Sequence, residues 1–136
     1  MATGLLLILA SCSQPAPRPK SVCDLPSNVA SWSGATVRWK GPVVGTFHHG
    51  FAMIAEDCQR RGISLDGWET APGGEELDAA LRQYISRPGL VRADVTGKIL
   101  DNDDRHLWIT HVHGIDFRPM TDAQEEAYWR SRVFSP

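Results

Sequence analysis

Val91-Arg92-Ala93-Asp94-Val95-Thr96-Gly97-Lys98-Ile99 keeps its apolar residues at odd positions and its polar ones at even positions. A period of two sends alternate side chains to opposite sides of the backbone, so the stretch predicts a strand with one buried face. The same pattern occurs upstream. Val37 and Trp39 share one face, Thr36, Arg38 and Lys40 the other, and Gly41 follows at once. Two alternating segments of this kind, each running into a glycine, make a β-rich body the first expectation.

Working outward, Gly41-Pro42-Val43-Val44-Gly45 bends or continues the first strand, and His48-His49-Gly50 reads as a turn. Phe51–Ala55 is a mostly apolar strand ended by Glu56-Asp57-Cys58, and Ile63-Ser64-Leu65 is a short one. Asp66-Gly67 and Ala71-Pro72-Gly73-Gly74 are turn signals. The period then changes to that of a helix. Glu75, Glu76 and Asp78 fall in its first turn, where carboxylates oppose the positive dipole end, and Leu77, Leu81, Tyr84 and Ile85 recur on one face. Pro88-Gly89 stops it. After the strand at 91–99, Asp101–Asp104 is a polar turn and Leu107–His113 the last strand. Thr121-Asp122-Ala123-Gln124 has the form of a capping box opening a short helix that carries Tyr128 and Trp129.

Three strands, a helix, two strands and a terminal helix form an order that resembles the OB-fold, a small five-stranded barrel with a helix between its third and fourth strands. The fold class expected is therefore mainly β with one or two helices: an OB-like barrel, β-β-β-α-β-β, plus a C-terminal helix. In such barrels glycines placed like Gly41 and Gly97 let a strand coil sharply around the closed sheet. An open sheet covered by a helix is the competing architecture.

The N-terminus carries a different message. Leu5-Leu6-Leu7-Ile8-Leu9 leads through Ala10-Ser11 into Cys12. This resembles the lipobox of bacterial lipoprotein signal peptides, with Met1-Ala2-Thr3-Gly4 departing from it by lacking Lys or Arg. The apolar run is far below the roughly 20 residues that span a bilayer. The resemblance implies a signal peptide over residues 1–11 and lipidation of Cys12 with palmitate-type chains. It also implies a Pro-rich tether over 12–22 and a single domain over 23–136. Acyl chains contribute about 0.8 kcal/mol per buried methylene, so two or three hold the chain to a membrane lastingly. Ser13 after the cysteine implies the outer membrane, with the body facing the periplasm. The chain also resembles small envelope lipoproteins in its strand, glycine and later acidic-x-Cys, here Glu56-Asp57-Cys58.

Of three cysteines, lipidation of Cys12 leaves Cys23 and Cys58 as an even pair in an oxidising compartment. A bridge between them would contribute about 4 kcal/mol by chain-entropy reasoning, with two buried thiols as the alternative.

Charge excludes one class of partner. The sequence has 14 basic and 16 acidic residues, net −2, with no basic stripe, so nucleic acid is not an expected partner. His111 and His113 stand two apart on the last strand and share a face. Two imidazoles there could take Zn²⁺ or Cu²⁺ with His48, His49 or His106 as a third ligand, but Leu107 and Ile109 on the same face place His111 at the core border. Five tryptophans raise the question of an aromatic platform. Trp39 belongs with the core, and Trp108 is the one that alternates away from it. No nucleophile elbow, zinc-protease motif or phosphate loop is present, and Asp101, Asp103 and Asp104 lack the glycine and distal Glu of a calcium loop. Glu56-Asp57 reads simply as a strand end. The expectation is a membrane-anchored accessory module with an envelope protein as partner. It is expected to be non-enzymatic and without a cofactor; a metal-ion or small-ligand binder at His111/His113 is the alternative.

Overall fold

The computed structural model describes residues 21–24, 32–56, 58, 62–101 and 105–133. Cys12, the segment 1–11, the tether as far as residue 20, and residues 102–104 of the polar turn lie outside the described residues.

Five strands and two helices make up the body: β1 (Thr36–Thr46), β2 (Gly50–Ile54), β3 (Gly62–Asp66), α1 (Gly74–Ser86), β4 (Gly89–Asp101), β5 (Arg105–Pro119) and α2 (Asp122–Val133). The element order is the one expected. β1 pairs with both β2 and β4, β3 pairs with β2 and, in parallel, with β5, and β4 pairs with β5. The pairings return to their start, so the sheet closes into a barrel in the order β1-β2-β3-β5-β4. Closure gives each strand a neighbour along at least part of both its edges.

The strands are longer than their alternating cores suggested. β1 runs on through Gly41-Pro42-Val43, and β5 continues six residues beyond His113. A sequence pattern records only where one face is buried, whereas strand pairing persists beyond the buried stretch.

The interior holds Val37, Trp39 and Val43 from β1, Phe51 and Met53 from β2, and Ile63 and Leu65 from β3. It is completed by Val91, Val95 and Ile99 from β4 with Leu107, Ile109 and Val112 from β5. Leu77 and Leu81 of α1 are fully buried and cover it against β4 and β5. Full burial of side chains of this size contributes about 1.5–3 kcal/mol each. Ile85 departs from the expectation: it is 48% exposed, one position past the end of the stripe that faces the sheet. Gly97 points inward, where an added Cβ would come within 2.7 Å of the Trp108 carbonyl oxygen and 2.8 Å of the Leu107 side chain, so the position has room only for hydrogen.

β5 carries the main irregularity. Thr96 pairs with His111 but Gly97 with Ile109, which leaves Thr110 extra; Val95 pairs with Val112 but Asp94 with Gly114, which leaves His113 extra. Each extra residue shifts the alternation by one and turns the strand. The inward series is thus Leu107, Ile109, Val112, then Ile115 and Phe117 against the same core.

Cys23 and Cys58 are bridged, with Cα atoms 5.6 Å apart. The bridge fastens a 3-10 turn at Val22–Asp24, whose Val22 is buried in the core, to the connection between β2 and β3.

Candidate binding face

The outward residues of β1, β4 and β5 form one continuous polar surface. Register sets Arg38 beside Thr96 and Lys40 beside Asp94. On the other edge of β4, Thr96 lies beside His111 and Lys98 beside Trp108. Arg38 donates from Nε to Asp94 Oδ1 and from Nη2 to Asp94 Oδ2, each at 3.0 Å. This two-pronged hydrogen bond, and secondarily the guanidinium charge, hold the Asp94 carboxyl below its ordinary range against partial desolvation.

The two histidines of β5 are brought together, but not where the alternation placed them. The bulge at Thr110 reverses the phase of the strand, so His111 and His113 are exposed and share the outer side with Trp108 instead of the inner side with Leu107 and Ile109. Their rings stack with centroids 4.3 Å apart and planes 27° apart. His113 Nε2 lies 2.7 Å from Thr96 Oγ1, and the extra residue Thr110 donates its hydroxyl to the Thr96 carbonyl at 3.3 Å. Desolvation against the sheet, then the Arg38 guanidinium and the His111 ring, lower the His113 pKa, with Asp94 pulling the other way.

The other histidines do not join them. His48 and His49 contact each other edge-on in the β1–β2 turn, with centroids 4.6 Å apart. His106 pairs instead with Asp66 of β3, Nδ1 to Oδ2 at 2.5 Å. Among the described residues no group of three or more His, Cys, Asp or Glu side chains is placed to hold a metal ion.

Trp108 is 46% exposed, and its indole lies along Gly67. Gly67 has φ +77°, and a Cβ there would come within 2.6 Å of Trp108 Cε2, so both the turn after β3 and the contact with the ring require glycine. The remaining described tryptophans turn inward or partly so. Trp39 and Trp68 are buried, and Trp32 and Trp129 are partly covered. Trp68 meets Phe51 edge-on, and its Nε1 is buried without a hydrogen-bond partner.

Glu56 does more than end a strand. Arg92 Nη1 and, at 2.9 Å, the Tyr128 hydroxyl both donate to its Oε1, which joins the end of β2, the outside of β4 and α2. The sequence signal for this is weak, because the three residues are 36 and 72 positions apart. The capping box of α2 forms as expected: the Gln124 amide donates to Thr121 Oγ1 at 3.2 Å and the Thr121 amide to Gln124 Oε1 at 2.9 Å. A shallow cleft of about 470 Å³ lies between the end of β5 and α2 around Arg118, Met120 and Tyr128. None of the described helices is long and apolar enough to cross a membrane.

No family model, curated protein or solved structure matches the chain.

Proposed function

We propose that the protein is a lipid-anchored, non-enzymatic interaction module of the cell envelope, working through the outward face of β1, β4 and β5. The observation that carries this reading is the placement of the chemically able side chains. Arg38, Asp94, Thr96, Trp108, His111 and His113 gather on one open sheet surface, while the barrel interior is filled by apolar side chains. An open surface of this kind suits contact with a partner better than enclosure of a reacting small molecule. The Cys23–Cys58 bridge supports an oxidising compartment, and the Leu9-Ala10-Ser11-Cys12 stretch supports lipid attachment facing the periplasm, at the outer membrane. Tethering raises the local concentration of the module near envelope partners, so a weak contact suffices.

Two measurements test it. Cys12→Ala is expected to move the protein from the membrane fraction to the soluble one; retention in the membrane would refute the anchor. A photoreactive residue at exposed Thr36 is expected to capture an envelope component, and capture of nothing at that position would refute the face. A second reading rests on the stacked imidazoles of His111 and His113, which stand exposed side by side as two candidate ligands for a divalent ion. It predicts a rise in melting temperature with Zn²⁺ or Cu²⁺ that His113→Gln abolishes.

A further inference from the structure

Taking that face as the working surface, we infer that Trp108 and Lys98 form the centre of a site for an acidic glycan, a chain of sugar rings bearing carboxylates. Trp108 is the one large aromatic side chain exposed on this face among the described residues. It is braced from beneath, because its ring lies along the backbone of Gly67, where no side chain fits. A braced indole offers a flat apolar surface at low entropic cost, which is what the C–H face of a sugar ring stacks upon. Polar groups surround it as such a ring requires. Register places Lys98 directly across on β4 and Asp66 across on β3, the latter holding His106.

Charge selects an acidic chain over a neutral one. The outward positions of β1 and β4 present Arg38, Lys40, Arg92 and Lys98 against Asp94, although the chain as a whole carries −2. Arg38 is engaged with Asp94 and Arg92 with Glu56, and among the described residues Lys40 and Lys98 hold no ion pair. The face also carries Asp66, paired with His106, and Asp116, the register partner of Arg92, whereas Glu75, Glu76 and Asp78 on α1 and Asp122, Glu125 and Glu126 on α2 lie on other elements, so the selection rests on the two lysines. Lys40 lies beside Asp94, four residues along β4 from Lys98, so the two ammonium groups mark a track roughly 13 Å long, fit for a chain and not a single sugar. A single-stranded nucleic acid would need successive large aromatic platforms for its bases; among the described residues Trp108 is the one such ring on this face, and the imidazoles of His111 and His113 stack on each other.

Calorimetric titration of the full-length chain in detergent micelles with tetragalacturonate tests the inference. Saturable binding is expected, weakened at least tenfold by Trp108→Ala and by Lys98→Glu and only a few-fold by Trp108→Phe. Lys98→Glu leaves the packing of Trp108 on Gly67 in place, so an unchanged melting temperature for that variant separates lost recognition from lost folding. Neutral chitotetraose is expected to bind at least tenfold more weakly, and so is polyglutamate of matched charge. No binding at millimolar tetragalacturonate would overturn the inference. So would equal binding of either control, tighter binding of oligothymidylate, or indifference to both Trp108→Ala and Lys98→Glu. A protein captured at Thr36 by a chain that takes no glycan would sink this inference alone and leave the interaction module standing.

Discussion

Arg38 and Asp94 face each other diagonally across the β1–β4 pair, joined by two hydrogen bonds of 3.0 Å. Neither is the register partner of the other: Arg38 pairs with Thr96, and Asp94 with Lys40. The guanidinium thus reaches along the sheet to grip a carboxylate and in doing so flanks His113. Behind the larger effect of desolvation, the guanidinium lowers the His113 pKa and the carboxylate raises it.

The first prediction concerns acid. The folded Asp94 carboxyl titrates below its ordinary value of 3.8, so the unfolded chain takes up the proton first as the pH falls. The stabilisation is complete well above 3.8 and is lost as the pH drops through the lowered folded value. His113, lowered from 6.5, adds a loss that begins near that pH. Thermal melts from pH 8 to pH 2.5 should show Asp94→Asn less stable than the parent at neutral pH, with the gap closing in strong acid. His113→Gln should flatten the profile around pH 6. Parallel curves for parent and variants would contradict both assignments.

Removing the bridge tests the attachment of the N-terminal segment. Cys23→Ser with Cys58→Ser is expected to lower stability by about 2–4 kcal/mol in urea unfolding. The parent should show the same loss when melted in reductant, and the double variant should show none.

The bulges in β5 make a sharp contrast between neighbours. Leu107→Ala should cost about 2–5 kcal/mol, because it empties a fully buried site. His111→Ala and His113→Ala should each stay within about 0.5 kcal/mol, because both rings lie on the surface. An uninterrupted alternation would instead make His111 costly to change. Chemical denaturation of the three variants decides it.

Tyr128→Phe removes the hydroxyl that donates to Glu56 from α2. The expected cost is about 0.5–1.5 kcal/mol, felt chiefly in α2. Faster amide exchange confined to α2 would confirm that Glu56 fastens this helix to the barrel. Unchanged exchange would show that its own packing holds it.

Much of the barrel is legible in the chain because its signals are local. Val91–Ile99 alternates and is a strand; Pro88-Gly89 ends α1; Thr121 and Gln124 cap α2. The pairing of Cys23 with Cys58 followed from counting. What the chain hides is register. Whether His111 faces in or out depends on Thr110 standing unopposed across from β4, and nothing in Ile109-Thr110-His111 announces a bulge. The Arg38–Asp94 grip, the shelf that Gly67 makes for Trp108, and the Glu56–Arg92–Tyr128 junction share that origin. Each joins residues that become neighbours only once five strands have settled against one another. Exposure of Trp108 was readable, since it needs only the local phase; its brace was not.

The sulfur link at residue 23 also has a mechanical side. A pull arriving along the N-terminal chain reaches the sheet by two routes, through the backbone toward β1 and through sulfur to the connection between β2 and β3. Tension divided in this way cannot strip β1 from one end, the least costly way to unzip a ladder of hydrogen bonds. A load applied at residue 23 would therefore shear the barrel as a block before it frayed.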